Sequence, residues 1–407
     1  MHLHLILQDG KHIMTTTIII LLCSLLLIAY LFDITSSKTK VPSVILLLLL
    51  GWTIKQFTVY INIQVPDFSF VLPVLGTIGL VLIVLEGTLD LELNKSKLSM
   101  ITKSFLGALI AVLATSMFIA FLFYFFGIFS FRNSLINAIP FCVISSAIAI
   151  PSGKNLTLIS KEFVIYESSF SDILGVLFFT FISINQTYDF YSFGYFGLQV
   201  IIMIVISFIS TIGISLLLSK IKNHIKFIPI ILIVILIYEI SKIYHLPALI
   251  FILLFGLFIG NFNKMIHFKW IKLLKPEILD KEVHKFKELA VEVTFLVRVS
   301  FFLIFGYLIE TSQIINTETL IWSSVIVFFI FLSRIVQLKL SKLPLNPLVF
   351  VAPRGLITIL LFLSIEPAQR ISFVNQSLII QVIILTSLIM MIGLMITTNN
   401  INIEKTK

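Results

Sequence analysis

The chain has 407 residues, 58% of them hydrophobic and 12% charged, with a mean hydropathy of +1.11 and a formal net charge of +9. A soluble domain carries roughly 25% charged residues. This chain therefore lacks the polar surface to cover itself in water, and its 39 phenylalanines suit lipid-facing and helix-packing surface. The composition defines an all-α integral membrane protein. The positive balance is no nucleic-acid signal, because its lysines cluster between apolar runs.

Residues 1–14 are weakly polar and carry no small-x-small cleavage pattern, so the first apolar run is read as a retained span, with Met1 or Met14 as the start. Thirteen apolar runs follow, at about 15–33, 42–57, 68–89, 103–127, 134–151, 163–183, 193–218, 226–243, 247–261, 290–309, 319–339, 346–365 and 373–397. Several fall short of the ~20 residues that a straight span needs, as expected of helices broken or packed inside a bundle. Cys23 and Cys142 sit in separate runs and imply neither a disulfide framework nor a metal site.

Alternate loops carry most of the lysines: Lys38 and Lys40, Lys95 and Lys97, Lys154 and Lys161, Lys220 and Lys226, the run from Lys264 to Lys287, Lys339 and Lys342, and the tail. The opposite set holds only scattered charges such as Lys55, Arg132, Lys242 and Arg370. The basic set is expected to face the cytoplasm, with the N-terminus outside and the C-terminus inside, which requires an odd number of spans. Glu86 and Asp90 read as interfacial at the inner end of span three, and Glu239 and His245 as interfacial on the other side.

Val41-Pro42-Ser43-Val44-Ile45 through Gly51 to Phe57 resembles Leu246-Pro247-Ala248-Leu249-Ile250 through Gly256 to Phe262, with Pro, Gly and Phe at matched spacing. These are spans two and nine, an odd number apart, so an inverted-topology repeat is expected, the arrangement by which many secondary carriers open to either face. Span three then pairs with ten, five with twelve and six with thirteen. Spans five and twelve carry Ser145-Ser146-Ala147 with Pro151, and Ala352-Pro353-Arg354-Gly355. Pro and Gly at those depths free backbone groups that can line an ion cavity.

Ionisable groups at membrane depth cost at least about 2.5–3.5 kcal/mol and mark function by default. Span six holds Glu167-Ser168-Ser169-Phe170-Ser171-Asp172. Asp172 lies roughly 13 Å inside, near the midplane, with Ser168 one turn away on the same face. Arg298 and Arg354 are expected at Asp172's depth. Arg334 is expected at Glu167's depth, where a buried carboxylate and guanidinium almost demand each other. Intramembrane proteases fit poorly, since no Gly-x-Gly-Asp pair, Gly-x-Ser-Gly or His-Glu-x-x-His is present.

These residues resemble the monovalent cation:proton antiporters, the superfamily of bacterial sodium/proton antiporters and animal sodium/hydrogen exchangers. The family's span-six motif Glu-Ser-x-x-Asn-Asp stands here as Glu167 to Asp172. The Val-Pro start of span two, Leu-Glu-Gly around Glu86, and Arg354-Gly355 also look like family positions. The resemblance implies a dimerisation domain and a mobile core in which broken spans five and twelve cross. It implies that Asp172 binds cation or proton in turn, and that Glu167 pairs with Arg334 structurally. Ser171 replaces the usual Asn, or the second Asp of the electrogenic branch. Span five lacks the Thr-Asp-Pro of the exchanger branch, Ser145-Ser146-Ala147 looks more like the Ser-Ser-Thr of the potassium-efflux branch, and Arg298 stands in the span where the electrogenic branch often has Lys.

The expected organisation is 1–102 scaffold, 103–192 the first core half, 193–225 a linker span, 226–310 scaffold, 311–398 the second core half, and 399–407 a tail. The expected function is electroneutral exchange of a monovalent cation (Na⁺, or Li⁺ or K⁺) for H⁺ by a homodimer in the plasma membrane, with no cofactor and no nucleic-acid partner. Asp172 would bind the cation with Ser171, Ser168, Ser145 and Ser146. The competing readings are a potassium-selective exchanger and an ion channel, although no filter-like repeat is present.

Overall fold

Apolar side chains surround most of the helices of this chain, and a span in hydrocarbon must satisfy its backbone polar groups within itself. In the computed structural model, residues 2–39, 41–63, 65, 67–91, 94–127, 129–153, 156–185, 189–221, 225–265 and 276–405 are described, and every regular element among them is helical. In chain order these are α1 (His2–Thr39), α2 (Ser43–Tyr60), α3 (Val71–Asp90), α4 (Leu98–Gly127), α5 (Phe131–Ala138), α6 (Ser146–Ser152), α7 (Leu158–Ile184) and α8 (Phe190–Lys220). They continue with α9 (Phe227–Ile243), α10 (Leu249–Gly260), α11 (Pro276–Leu308), the single turn α12 (Thr311–Ile314), α13 (Thr317–Leu340), α14 (Leu356–Leu363) and α15 (Gln376–Lys405).

Ten stretches among the described residues are long and apolar enough to cross a membrane on their own. The expected runs at 226–243, 247–261 and 346–365 are helical but too short or interrupted to meet that measure. Polar residues mark the helix starts. The Thr157 hydroxyl accepts from Ser160 N–H at α7, and Asn316 Oδ1 accepts from Glu318 and Thr319 N–H at α13. The Asp189 carboxylate accepts from both the N–H and the hydroxyl of Ser192 at α8, which holds its carboxyl below the usual range. The outer faces of α8 and α9 are apolar and exposed, as at Ile201, Val205, Phe208 and Leu232, which suits contact with lipid tails.

The helices pack in two groups. In one, α2 lies along α11, and α3 along both α10 and α11, with α10 against α8. In the other, α4 lies along α7, α5 and α13, and α13 along α15. The groups meet where α3 touches α7 and α14, and where α10 touches α7. On the basic side, ion pairs of 2.7 Å (Lys226–Glu282) and 2.6 Å (Lys287–Asp90) fasten the α8–α9 connection and the end of α3 to α11.

Two glycines set the closest helix approaches in the first group. A Cβ at Gly51 of α2 would collide with the Leu303 carbonyl of α11 and stand 2.7 Å from Tyr307 N. A Cβ at Gly256 of α10 would collide with the Thr88 side chain of α3. Small residues let backbones approach, which is the main source of association energy where lipid tails are as apolar as the helices. Gly51→Ala and Gly256→Ala are each expected to destabilise the protein by about 1–3 kcal/mol through overpacking, read as a lower thermal midpoint of the purified protein in detergent. Gly213→Ala, on α8 with nothing within 4 Å of its Cβ, should leave the midpoint unchanged or raise it.

Candidate functional site

The fifth run is not one helix. It consists of α5, a 3-10 turn at Ile139–Phe141, unwound backbone, and α6. The twelfth consists of a 3-10 turn at Leu348–Phe350, non-helical backbone over 351–355, and α14. Proline explains part of this, since Pro140 and Pro353 cannot donate a helical hydrogen bond. The unwound stretches cross and supply each other's partners. Ser145 N–H donates to the Pro353 carbonyl at 2.9 Å. Gly355 allows the contact, because a Cβ there would stand 2.6 Å from Ser145 Oγ.

Arg354 is buried at this crossing. Its Nε donates to the Phe141 carbonyl at 2.6 Å, its Nη1 to the Ala352 carbonyl at 2.9 Å, and its backbone N–H to Thr386 Oγ1 at 3.1 Å. The guanidinium thus satisfies carbonyls released by both breaks and brings a fixed positive charge to the crossing.

α7 passes beside the breaks, with Gly175 against Val143. Asp172 lies near the middle of α7 and is 1% exposed. Ser146 Oγ donates a hydrogen bond to its Oδ2, whereas Oδ1 has no partner. Ser171 Oγ accepts from Ile144 N–H at 2.9 Å, so this side chain anchors the unwound backbone of the fifth run. Ser168 Oγ donates to Val164 O at 2.7 Å within its own helix and keeps its lone pairs. Ser145 meets the crossing through its backbone and its contact with Gly355.

Glu167 and Arg334 form an ion pair, at 1% and 2% side-chain exposure. Gln337, whose role the sequence did not reveal, donates to the same Glu167 oxygen and accepts from Arg334 Nη1 at 3.0 Å. Arg334 Nε donates to the Leu348 carbonyl at 3.2 Å. The pair therefore joins α7 to α13 and to the entry of the second broken run.

Arg298 is not brought to this cluster. Its guanidinium lies 3.7 Å from Asp33 Oδ1 of α1, and Ser43 donates to the same oxygen at 3.4 Å. The helix α11 that carries it packs on α2 and α3, so equal depth along the membrane did not mean proximity. Asp90 pairs with Lys287 at the surface, and Glu86 is half-buried on α3. Ser169 Oγ of α7, at a variable position of the span-six motif, and Thr358 Oγ1 of α14 are also buried without a partner.

A cavity of about 380 Å³ opens between α3, α7, α9 and α14, with Thr77, Val176, Thr180, Tyr238 and Lys242 on its walls. Val176 is one helical turn from Asp172, so the cavity approaches the carboxylate from the end of α7.

A bundle with two crossed, unwound passes around a buried carboxylate defines a secondary transporter rather than an enzyme. The family description "Sodium/hydrogen exchanger, transmembrane" matches residues 22–399, and the chain belongs to that family of cation/proton exchangers. The fold is similar to the structure of the sodium proton antiporter MjNhaP1 from Methanocaldococcus jannaschii at pH 8, with a TM-score of 0.65 and 18% identity over 93% of this chain and 95% of that one. An electron-microscopy map of the same antiporter gives the same TM-score and identity, over 94% of its chain. No curated relative matches the sequence significantly. The family needs no cofactor, and the transported ions are its substrates.

The buried pair yields a stability prediction. Removing one partner leaves an uncompensated charge, so Glu167→Ala or Arg334→Ala should each destabilise the protein by about 3–5 kcal/mol. The double variant should lose less than the sum, because the two act on one interaction. Thermal unfolding of the four proteins in detergent checks this.

Proposed function

We propose that the protein exchanges Na⁺ for H⁺ by alternating access, and that Asp172 is the group at which the two ions compete. The observation that carries this is a carboxylate buried near the middle of α7, held on one oxygen by Ser146 and unpartnered on the other, beside two unwound passes. When ionised, Asp172 accepts a cation at the free oxygen, helped by Ser146, by Ser168 and by groups of the crossing that Ser145 and Ser171 hold in place. When protonated, it releases the cation. One carboxylate does not hold both ions at once, and that competition couples the two fluxes.

Exchange is one-for-one and electroneutral in this reading. Glu167 is committed to Arg334 and Gln337, Ser171 stands where a second carboxylate would add a proton, and Arg298 is paired with Asp33. The mobile unit is the group built on α4–α7 and α13–α15 around the crossing. The scaffold is the group of α1–α3 and α9–α11, with α8 as linker. The scaffold also supports the inverted repeat: Gly51 of α2 faces α11, and its matched Gly256 of α10 faces α3, as pairing of spans two with nine and three with ten requires. We further propose a homodimer in the plasma membrane, N-terminus outside and C-terminus cytoplasmic, serving pH homeostasis. A potassium-selective exchanger is the second reading, favoured by the two serines at the break in place of Thr-Asp.

In everted vesicles carrying a pH dye, Na⁺ is expected to drive proton movement, with Li⁺ and K⁺ compared in parallel. Asp172→Asn should abolish it, and proton flux unchanged in that variant would end the reading. Because proton and cation compete, the half-saturating Na⁺ concentration should rise as pH falls, by up to about tenfold per pH unit where the protonated form dominates. An imposed membrane potential should leave the rate unaltered; a voltage-dependent rate would sink electroneutrality.

A further inference from the structure

Two buried oxygens without a partner stand on one face of α7, those of Asp172 Oδ1 and Ser169 Oγ. Residues three apart on a helix are neighbours, with Cβ atoms about 5–6 Å apart. The surrounding serines are engaged: Ser146 with Asp172, Ser171 with Ile144, and Ser168 with its own helix. Ser169, at 5% exposure, keeps its donor and its lone pairs unused. A buried hydroxyl in that condition is unfavourable unless something else pairs with it at another stage.

Its surroundings say which stage. Across from it is Gly87 of α3, where a Cβ would stand 3.1 Å from Ser169 Oγ. Ser169 therefore lies at the seam between α7 and α3, where the two packing groups meet. The open cavity reaches toward Asp172 from Val176, on the opposite side. Ser169 is one turn nearer the start of α7, on the side away from that cavity. When that side opens, its hydroxyl is the next free oxygen along the helix from the carboxylate.

We propose that Ser169 is a cation ligand for the step in which the ion passes between Asp172 and the membrane face at the start of α7. Its oxygen replaces a water of hydration as the ion enters. A fixed hard oxygen favours small, strongly hydrated monovalent cations such as Li⁺ and Na⁺ over K⁺, so Ser169 sets preference at that face. The proposal rests on Asp172 being the exchanging carboxylate.

The test uses the full chain in proteoliposomes and in vesicles of both orientations. Ser169→Ala removes the oxygen without adding bulk. It is expected to raise the half-saturating Na⁺ by about tenfold, the size of one lost charge-assisted contact, at the face where α7 starts and not at the other. The rate at saturation should fall less than that, and the Li⁺-to-K⁺ preference should narrow. Gly87→Ala, which presses a methyl on the Ser169 hydroxyl, should act in the same direction with the serine intact. In a Ser169→Cys protein lacking Cys23, a small thiol reagent should react more slowly in Na⁺ than in choline, and Asp172→Asn should remove that protection. Half-saturation and preference unchanged at both faces in Ser169→Ala, or changed equally at both, overturns the proposal. So does an altered thermal midpoint with unaltered transport constants. Failure of the underlying reading looks different: exchange then persists in Asp172→Asn with Ser169 untouched.

Discussion

Two stretches of unwound backbone meet inside this bundle, where no bulk water is at hand to satisfy them, and the arrangement of the core follows from how they are satisfied. Each break releases carbonyls and amides that cost several kcal/mol apiece if left bare in hydrocarbon. The breaks answer each other through Ser145 and Pro353, and Arg354 takes carbonyls from both. Ser171 holds Ile144 and Thr386 holds Arg354, so α7 and α15 are drawn against the crossing by the same requirement. The carboxylate of Asp172 is then left with one oxygen engaged and one free.

The Glu167–Arg334 pair acts at a different level. It is fully buried and joined by Gln337 and the Leu348 carbonyl, so it fixes α13 and the entry to the second break relative to α7. The breaks, α7 and α13 are thereby tied into one hydrogen-bonded cluster, and under the proposed alternating access that cluster would move as one body. In the group of α2, α3, α10 and α11 the helices approach at Gly51, against the backbone of α11, and at Gly256, against the Thr88 side chain, which leaves little room to slide.

Much of the site was legible because the membrane makes polar residues conspicuous. Glu167, Asp172, Arg334 and Arg354 stand out in apolar runs, and helical rise alone put Glu167 and Arg334 at one depth. Depth carries no information about position within the membrane plane. Arg298, at Asp172's estimated depth, turned out to serve Asp33 on α1. Serines were harder to read than charges. Five lie at or near the site, and which of them binds its own helix, the unwound backbone or the carboxylate depends on partners far away in sequence.

The sequence by itself determined the class, the all-helical membrane fold, the helical runs and the residues that must be buried together, because hydrophobicity, helical rise and the penalty on buried charge are local or one-dimensional quantities. Only the tertiary structure decided that the breaks at 142–145 and 351–355 satisfy each other, that Arg298 pairs with Asp33 of α1, and that Ser169 Oγ and Asp172 Oδ1 are left free. Those outcomes depend on which helix faces which, and packing of distant segments sets that, not the order of residues along any one of them.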